Sequence, residues 1–175
     1  MKKQLYLLGL FIVLLSLGFL TSAAISPASQ IRVPVATDFA AIAKNANTKG
    51  LPVLLVFSAE HCAYCELLEN EIIKPMILSG DYQNRVLIYK VMIDDSNQLR
   101  DFNGMSVSAE ELAQHYGVYV TPTMLFLDSR GKELSERILG INTVEMFGGL
   151  VDQAINISHQ QLHESRKRLA KNLAP

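Results

Sequence analysis

Apolar residues recur along this chain in two rhythms. Phe39, Ile42, Ala43 and Ala46 fall at three- and four-residue steps, the period of one helix face. Thr37 or Asp38 can cap that helix, and Gly50 stops it as a left-handed cap would. Pro52 to Phe57 is then an unbroken apolar run of strand length, which suits a central strand covered on both faces. Ser58 to Tyr64 is the loop into a second helix carrying Leu67, Leu68, Ile72 and Ile73. Pro75 is placed to kink this helix, which ends near Gly80. Arg85 to Ile93 is again strand-like, with β-branched Val86, Ile88, Val91 and Ile93.

Asp94 to Gly104 is polar and has no clear period, so it reads as a loop with a short helical turn. Ser108-x-x-Glu111 is a capping box opening a helix through Tyr116, closed by Gly117. Thr121-Pro122 leads into the strand Thr123 to Leu127. Asp128 to Gly131 is a tight turn, and Lys132 to Leu139 returns as the hairpin partner. A long helix runs from Thr143 towards Leu173. Its apolar spacing holds through Phe147, Leu150, Val151, Ala154 and Ile157, then gives way after Ser158 to a polar, basic end expected to project or fray. The order α, β, α, β, α, β, β, α predicts an α/β fold. A mixed central sheet, with parallel strands and a C-terminal antiparallel hairpin, is flanked by helices on both faces.

The N-terminus follows another logic. Lys2 and Lys3 precede an apolar run from Leu5 to Leu20, and Ser22-x-Ala24 fits a small-x-small cleavage rule. Residues 1–24 read as a secretory signal, with an uncleaved anchor as the alternative, and either places the body outside the cytoplasm. Residues 25–35 read as a linker, 36–158 as the folded domain and 159–175 as a polar helical extension. A net charge of −1, falling to −3 if residues 1–24 are removed, gives no electrostatic case for nucleic-acid binding.

The chain has two cysteines, which rules out a framework of structural disulfides. They form Cys62-Ala63-Tyr64-Cys65, where a buried strand hands over to a helix. Two intervening residues on a first helical turn can bring the sulfurs within bonding distance. Free N–H groups at the helix start stabilise a thiolate on Cys62, and Cys65 lies one turn inside. The exposed thiol would attack a disulfide and the inner thiol resolve the mixed disulfide. Two other readings compete. Zinc needs further ligands; His159 and His163 are spaced to share a helix face, but nothing brings that face to the cysteines. A purely structural disulfide would close too small a loop to restrain the unfolded chain much.

The segment from Val56 to Cys65 resembles the active-site segment of the thioredoxin family. Val118 to Leu127 resembles its cis-proline strand, Lys90 to Asp94 its middle strand and Asp128 to Gly131 its hairpin turn. The likeness spans roughly residues 36 to 155 in the right order. It implies a thioredoxin fold, dithiol–disulfide exchange, a cis Pro122 beside the cysteines, and a Thr121 backbone offered to a bound substrate strand. The chain also departs from the family. His61 stands where cytosolic thioredoxins carry Trp, either to favour the Cys62 thiolate or as a polar cover. Ala63 and Tyr64 occupy the positions thought to tune the redox potential. Val56 replaces a buried carboxylate, Lys90 matches a family lysine, and Glu60 reads as a solvated loop residue. The Asp95 to Ser108 insertion and the Thr before the proline are similar to exported SoxW and thioredoxin-2-like proteins.

The resemblance therefore implies an exported thiol–disulfide oxidoreductase. Cys62 is its nucleophile, Cys65 its resolving thiol, Thr121 and Pro122 its substrate contacts, and His61, Ala63 and Tyr64 its modulators. It would be a monomer needing no metal or cofactor beyond the Cys62–Cys65 disulfide. Its substrates would be protein disulfides and its electron donor a membrane thiol carrier. A disulfide oxidase or isomerase, and a non-catalytic module with a fixed CxxC, are the alternatives.

Overall fold

The computed structural model describes residues 31–173, so the expected targeting segment and most of the linker lie outside the described residues. Asp38 caps the first helix, α1 (Phe39–Lys49), by accepting the Ala41 N–H at 2.9 Å. Strand β1 (Val53–Ser58) is buried along its whole length, as its unbroken apolar run requires. Helix α2 (Ala63–Leu68) follows. It passes through a π-helical turn (Glu69–Ile73) into α3 (Lys74–Ser79), with Pro75 in the first turn of α3. Proline lacks the N–H that a helix interior needs, so the disturbance expected at Pro75 takes the form of a widened turn just before it.

Strand β2 (Leu87–Met92) pairs parallel with β1, Val56 opposite Lys90. Asp94 to Gly104, expected as a loop with a short helical turn, holds no helical turn. Two short strands, β3 (Leu99–Arg100) and β4 (Ser106–Val107), make a separate hairpin. Asp101 builds its turn by accepting the N–H groups of Asn103 and Met105, and buried Leu99 anchors it to the core. Helix α4 (Ala109–His115) has both arms of the capping box between Ser108 and Glu111.

Strand β5 (Thr123–Leu127) runs antiparallel to β1, and β6 (Ile138–Leu139) antiparallel to β5, giving the order β2-β1-β5-β6. The expected return strand from Lys132 is reduced to β6 and a single bridge at Glu133. Between them Arg137 turns its guanidinium to the Tyr116 carbonyl and the Glu133 carboxylate. Helix α5 (Val144–Leu173) closes the chain. Its basic end does not simply project, because Arg166 donates to the Asn47 carbonyl at the end of α1 at 2.8 Å.

The alternation of β1 sorts the core into two layers. Leu54 and Val56 pack with Leu68, Ile73, Phe147, Val151 and Ile155 from α2, the π turn and α5. Leu55 and Phe57 pack with Phe39, Ile42, Leu112 and Ala113 from α1 and α4. The sheet is thus covered on both faces. Val33 to Ala36 lies along the edge of β2: the Lys90 N–H donates to the Pro34 carbonyl and the Ala36 N–H to the Lys90 carbonyl. No helix among the described residues is long and apolar enough to cross a membrane.

Candidate active site

The antiparallel pairing of β5 with β1 decides where the site lies. Thr123, the first residue of β5, is in register with Phe57 near the end of β1. The residues just before β5 therefore meet the loop just after β1. Thr121 and Pro122 come from one segment, Cys62 and Cys65 from the other.

The loop is held at several points. The Ile93 N–H donates to the Ser58 carbonyl at 2.9 Å, and the Glu60 N–H donates to Asp94 Oδ2 at 2.7 Å. His61 then takes a left-handed backbone, φ 55°, the only non-glycine among the described residues to do so. Cys62 is the N-cap of α2, and its Sγ accepts the Cys65 N–H at 3.2 Å. The two sulfurs form a disulfide, with Cα atoms 5.2 Å apart. Cys62 is half-buried and Cys65 is buried. A disulfide that presents one sulfur at a helix start and hides the other is suited to attack from outside followed by intramolecular resolution.

Across from it the Thr121–Pro122 peptide bond is cis. The Thr121 hydroxyl donates to Cys62 Sγ at 3.5 Å, and the Pro122 carbonyl accepts the Gly140 N–H at 2.8 Å. The sequence pointed to the Thr121 backbone; the hydroxyl contact is an addition. The segments that meet here also expose large apolar side chains, Tyr64 at 63%, Tyr119 at 86% and Val120 at 53%. Tyr64 thus offers its ring to solvent. Ala63 and His61 are exposed beside it.

Behind the disulfide lies a cavity of about 320 Å³ whose lining includes Cys65, Glu69, Lys74 and Lys90. Lys90 is half-buried, and its ammonium lies 2.6 Å from Glu69, whose other oxygen is 3.2 Å from Lys74. Burial raises the Glu69 carboxyl, but hydrogen bonds and attraction from the two lysines outweigh it and hold the group below its ordinary value. Sequence reasoning passed over Glu69, although it follows Cys65 by four residues, the spacing of one helix face. Val56, in the position of the missing carboxylate, is buried in the apolar core.

His159 and His163 stack with ring centroids 5.8 Å apart, and His159 Nε2 is hydrogen-bonded to the Arg85 carbonyl. Among the described residues no group of three or more His, Cys, Asp or Glu is placed to hold a metal.

A family model described as a thioredoxin-like domain matches residues 39–155. A structure titled DsbH oxidoreductase superimposes with a TM-score of 0.54 at 17% identity, over 71% of this chain and 86% of that one, a likeness of fold. Fasciola hepatica thioredoxin is 24% identical over 71% of this chain and 97% of its own, with a TM-score of 0.48. A thioredoxin-fold protein from Helicobacter pylori is 26% identical over 69% of this chain and 86% of its own, with a TM-score of 0.44. No curated protein matches the chain.

Proposed function

The chain belongs to the thioredoxin-like family, and we propose that it is a thiol–disulfide oxidoreductase, exported by its N-terminal segment and working in the reducing direction. One observation carries the exchange chemistry: the Cys62–Cys65 disulfide caps a helix and faces Thr121 across 3.5 Å. In the reduced protein the Cys62 thiolate attacks a substrate disulfide. That S–S bond breaks, one substrate sulfur leaves as a thiolate, and a mixed disulfide forms. Cys65 then attacks Cys62 Sγ, the second substrate sulfur departs, and the Cys62–Cys65 disulfide closes. Two electrons pass to the substrate and no other cofactor takes part.

Protein disulfides are the substrates in this reading. An extended substrate segment lies along Thr121 and Pro122, and Tyr64, Tyr119 and Val120 supply an apolar border for its side chains. His61, Ala63 and Tyr64, which flank and separate the two cysteines in the chain, set the potential. The protein acts as a monomer in the periplasm, delivered by residues 1–24, and a membrane thiol carrier restores its dithiol. The Asp95 to Ser108 insertion, which forms the β3–β4 hairpin, supports the kinship with SoxW and thioredoxin-2-like reductants.

The direction is tested by equilibrating the purified protein with glutathione or dithiothreitol couples and counting free thiols. The expected potential lies near that of thioredoxin, about −270 mV. A value near about −120 mV, that of a strong disulfide oxidant, would overturn the reducing role and favour an oxidase.

A further inference from the structure

We propose that the end of the sheet opposite the disulfide docks on an anionic lipid surface, through Arg32, Lys49, Lys167 and Lys171 gathered round Arg166.

The net charge hides a segregation. Strand β1 has six residues and spans roughly 17–20 Å. Its last residue, Ser58, opens into the cysteine loop, where Glu60, Glu66, Asp94 and Asp95 are exposed. Its first residue, Val53, comes soon after Gly50, the C-cap of α1. There the basic end of α5 is pinned. Arg166 donates to the Asn47 carbonyl at 2.8 Å and lies so close to Gly50 that a Cβ added there would stand 2.5 Å from its Nη1.

The other cations gather on this contact. Lys167 and Lys171 are four residues apart on the last turns of α5, so they share one face beside Arg166. Lys49 precedes Gly50. Arg32, just before the Val33–Ala36 segment along β2, lines the same cavity as Lys49. All five side chains are exposed. Among the described residues none of Arg32, Lys49, Lys167 and Lys171 is ion-paired. Against them stands Asp81, exposed in the loop before β2. Two further carboxylates, Asp152 and Glu164, are matched by Arg85 and Arg168.

What lies between the cations selects lipid over another polyanion. The cavity shared by Arg32 and Lys49, about 590 Å³, has Met76, Ile77, Leu87 and Ile88 in its lining, and Leu169 is 54% exposed between Arg168 and Lys171. Cations beside apolar surface fit a headgroup phosphate and the acyl boundary beneath it. The same anionic surface repels the carboxylates around Cys62. The bound protein therefore turns its disulfide to the aqueous side.

The test is sedimentation of the full chain with vesicles at physiological salt, comparing phosphatidylcholine alone with phosphatidylcholine containing phosphatidylglycerol. Insertion of the apolar run at residues 5–20 is common to both vesicles and cancels in the ratio of partition coefficients. Lys167→Gln with Lys171→Gln should lower that ratio about 25-fold, roughly fivefold for each lysine, and Lys49→Gln about fivefold. Arg100→Gln removes an exposed cation beside the start of α1, away from this end, and should leave the ratio unchanged. Dithiothreitol should reduce the Cys62–Cys65 disulfide as fast on the vesicles as in solution. A double variant that keeps the wild-type ratio, an Arg100→Gln loss as large as that of Lys49→Gln, or a disulfide shielded on the vesicle would overturn the proposal. So would binding to polyglutamate with no preference for anionic vesicles, which would point to an acidic protein partner instead.

Discussion

Replacing His61 by glycine and by alanine isolates what the backbone asks of the residue before Cys62. Its φ of 55° is left-handed. A Cβ there lies too close to the following carbonyl and costs roughly 1–2 kcal/mol. At an ordinary site, compatible with either residue, Gly→Ala stabilises by about 0.4–1 kcal/mol because the unfolded glycine has more freedom to lose. At position 61 the strain outweighs that gain and the sign reverses. His61→Gly should be more stable than His61→Ala by about 1 kcal/mol. Glu66 supplies the control, being exposed and helical in α2. There Glu66→Ala should exceed Glu66→Gly by about 1 kcal/mol, so the two Gly/Ala differences lie roughly 2 kcal/mol apart. Urea unfolding of the four oxidised proteins at neutral pH reads these differences directly, provided the denaturant slopes agree. An alanine variant at position 61 as stable as the glycine variant would refute the reasoning.

Three other outcomes follow from the same contacts. Cys65→Ser should trap covalent complexes with disulfide-bearing proteins and Cys62→Ser should trap none; non-reducing gels with mass spectrometry decide, and an absence of complexes with either variant would favour a fixed, non-catalytic CxxC. Ser108→Ala removes the side chain that accepts the Glu111 N–H at 3.1 Å and should cost about 1 kcal/mol, seen as a lower urea midpoint with an unchanged slope. For Asp152, burial alone would raise the carboxyl, but hydrogen bonds from Arg85 at 2.7 Å and Tyr82 at 3.1 Å bring it below its ordinary value. Its contribution to stability is therefore present above about pH 4 and disappears as the pH falls through the lower folded value. Asp152→Asn should lower the neutral-pH melting temperature and flatten the acid limb, and parallel melting curves from pH 7 to 2 would contradict this.

Local patterns carried much of the fold. The unbroken run from Val53 to Phe57 marks a strand buried on both faces, and Ser108 with Glu111 marks a helix start, because each signal is complete within a few residues. The β3–β4 hairpin was not legible. Its strands are two residues long, and its turn is built by the Asp101 side chain rather than by hydrophobic alternation. The shortened β6 depends on Arg137 reaching Tyr116, 21 residues away. The docked end of α5 depends on Arg166 finding Asn47 across 119 residues. Such contacts leave no periodicity to read.

The charged pair behind the disulfide was hidden for a further reason, which also explains its place. A carboxylate at position 56 would stand on β1, where every residue is buried and Val56 itself is 6% exposed. Burying a charge there would cost several kcal/mol before any pairing recovered it. At position 69 the carboxylate keeps 22% of its side chain exposed, as does Lys90, so both retain water while still meeting at 2.6 Å. Lys90 lies opposite Val56 in the β1–β2 register, which brings a single ammonium within reach of the helix across the strand. Val56 thus belongs to the apolar core, while the cavity beside Cys65 takes its half-buried carboxylate from Glu69 at the π turn. Read singly, Val56 signals a missing charge and Pro75 a kinked helix. Only the widened turn before Pro75, which carries Lys74 back over Glu69, completes a carboxylate shared by two lysines in the cavity beside Cys65.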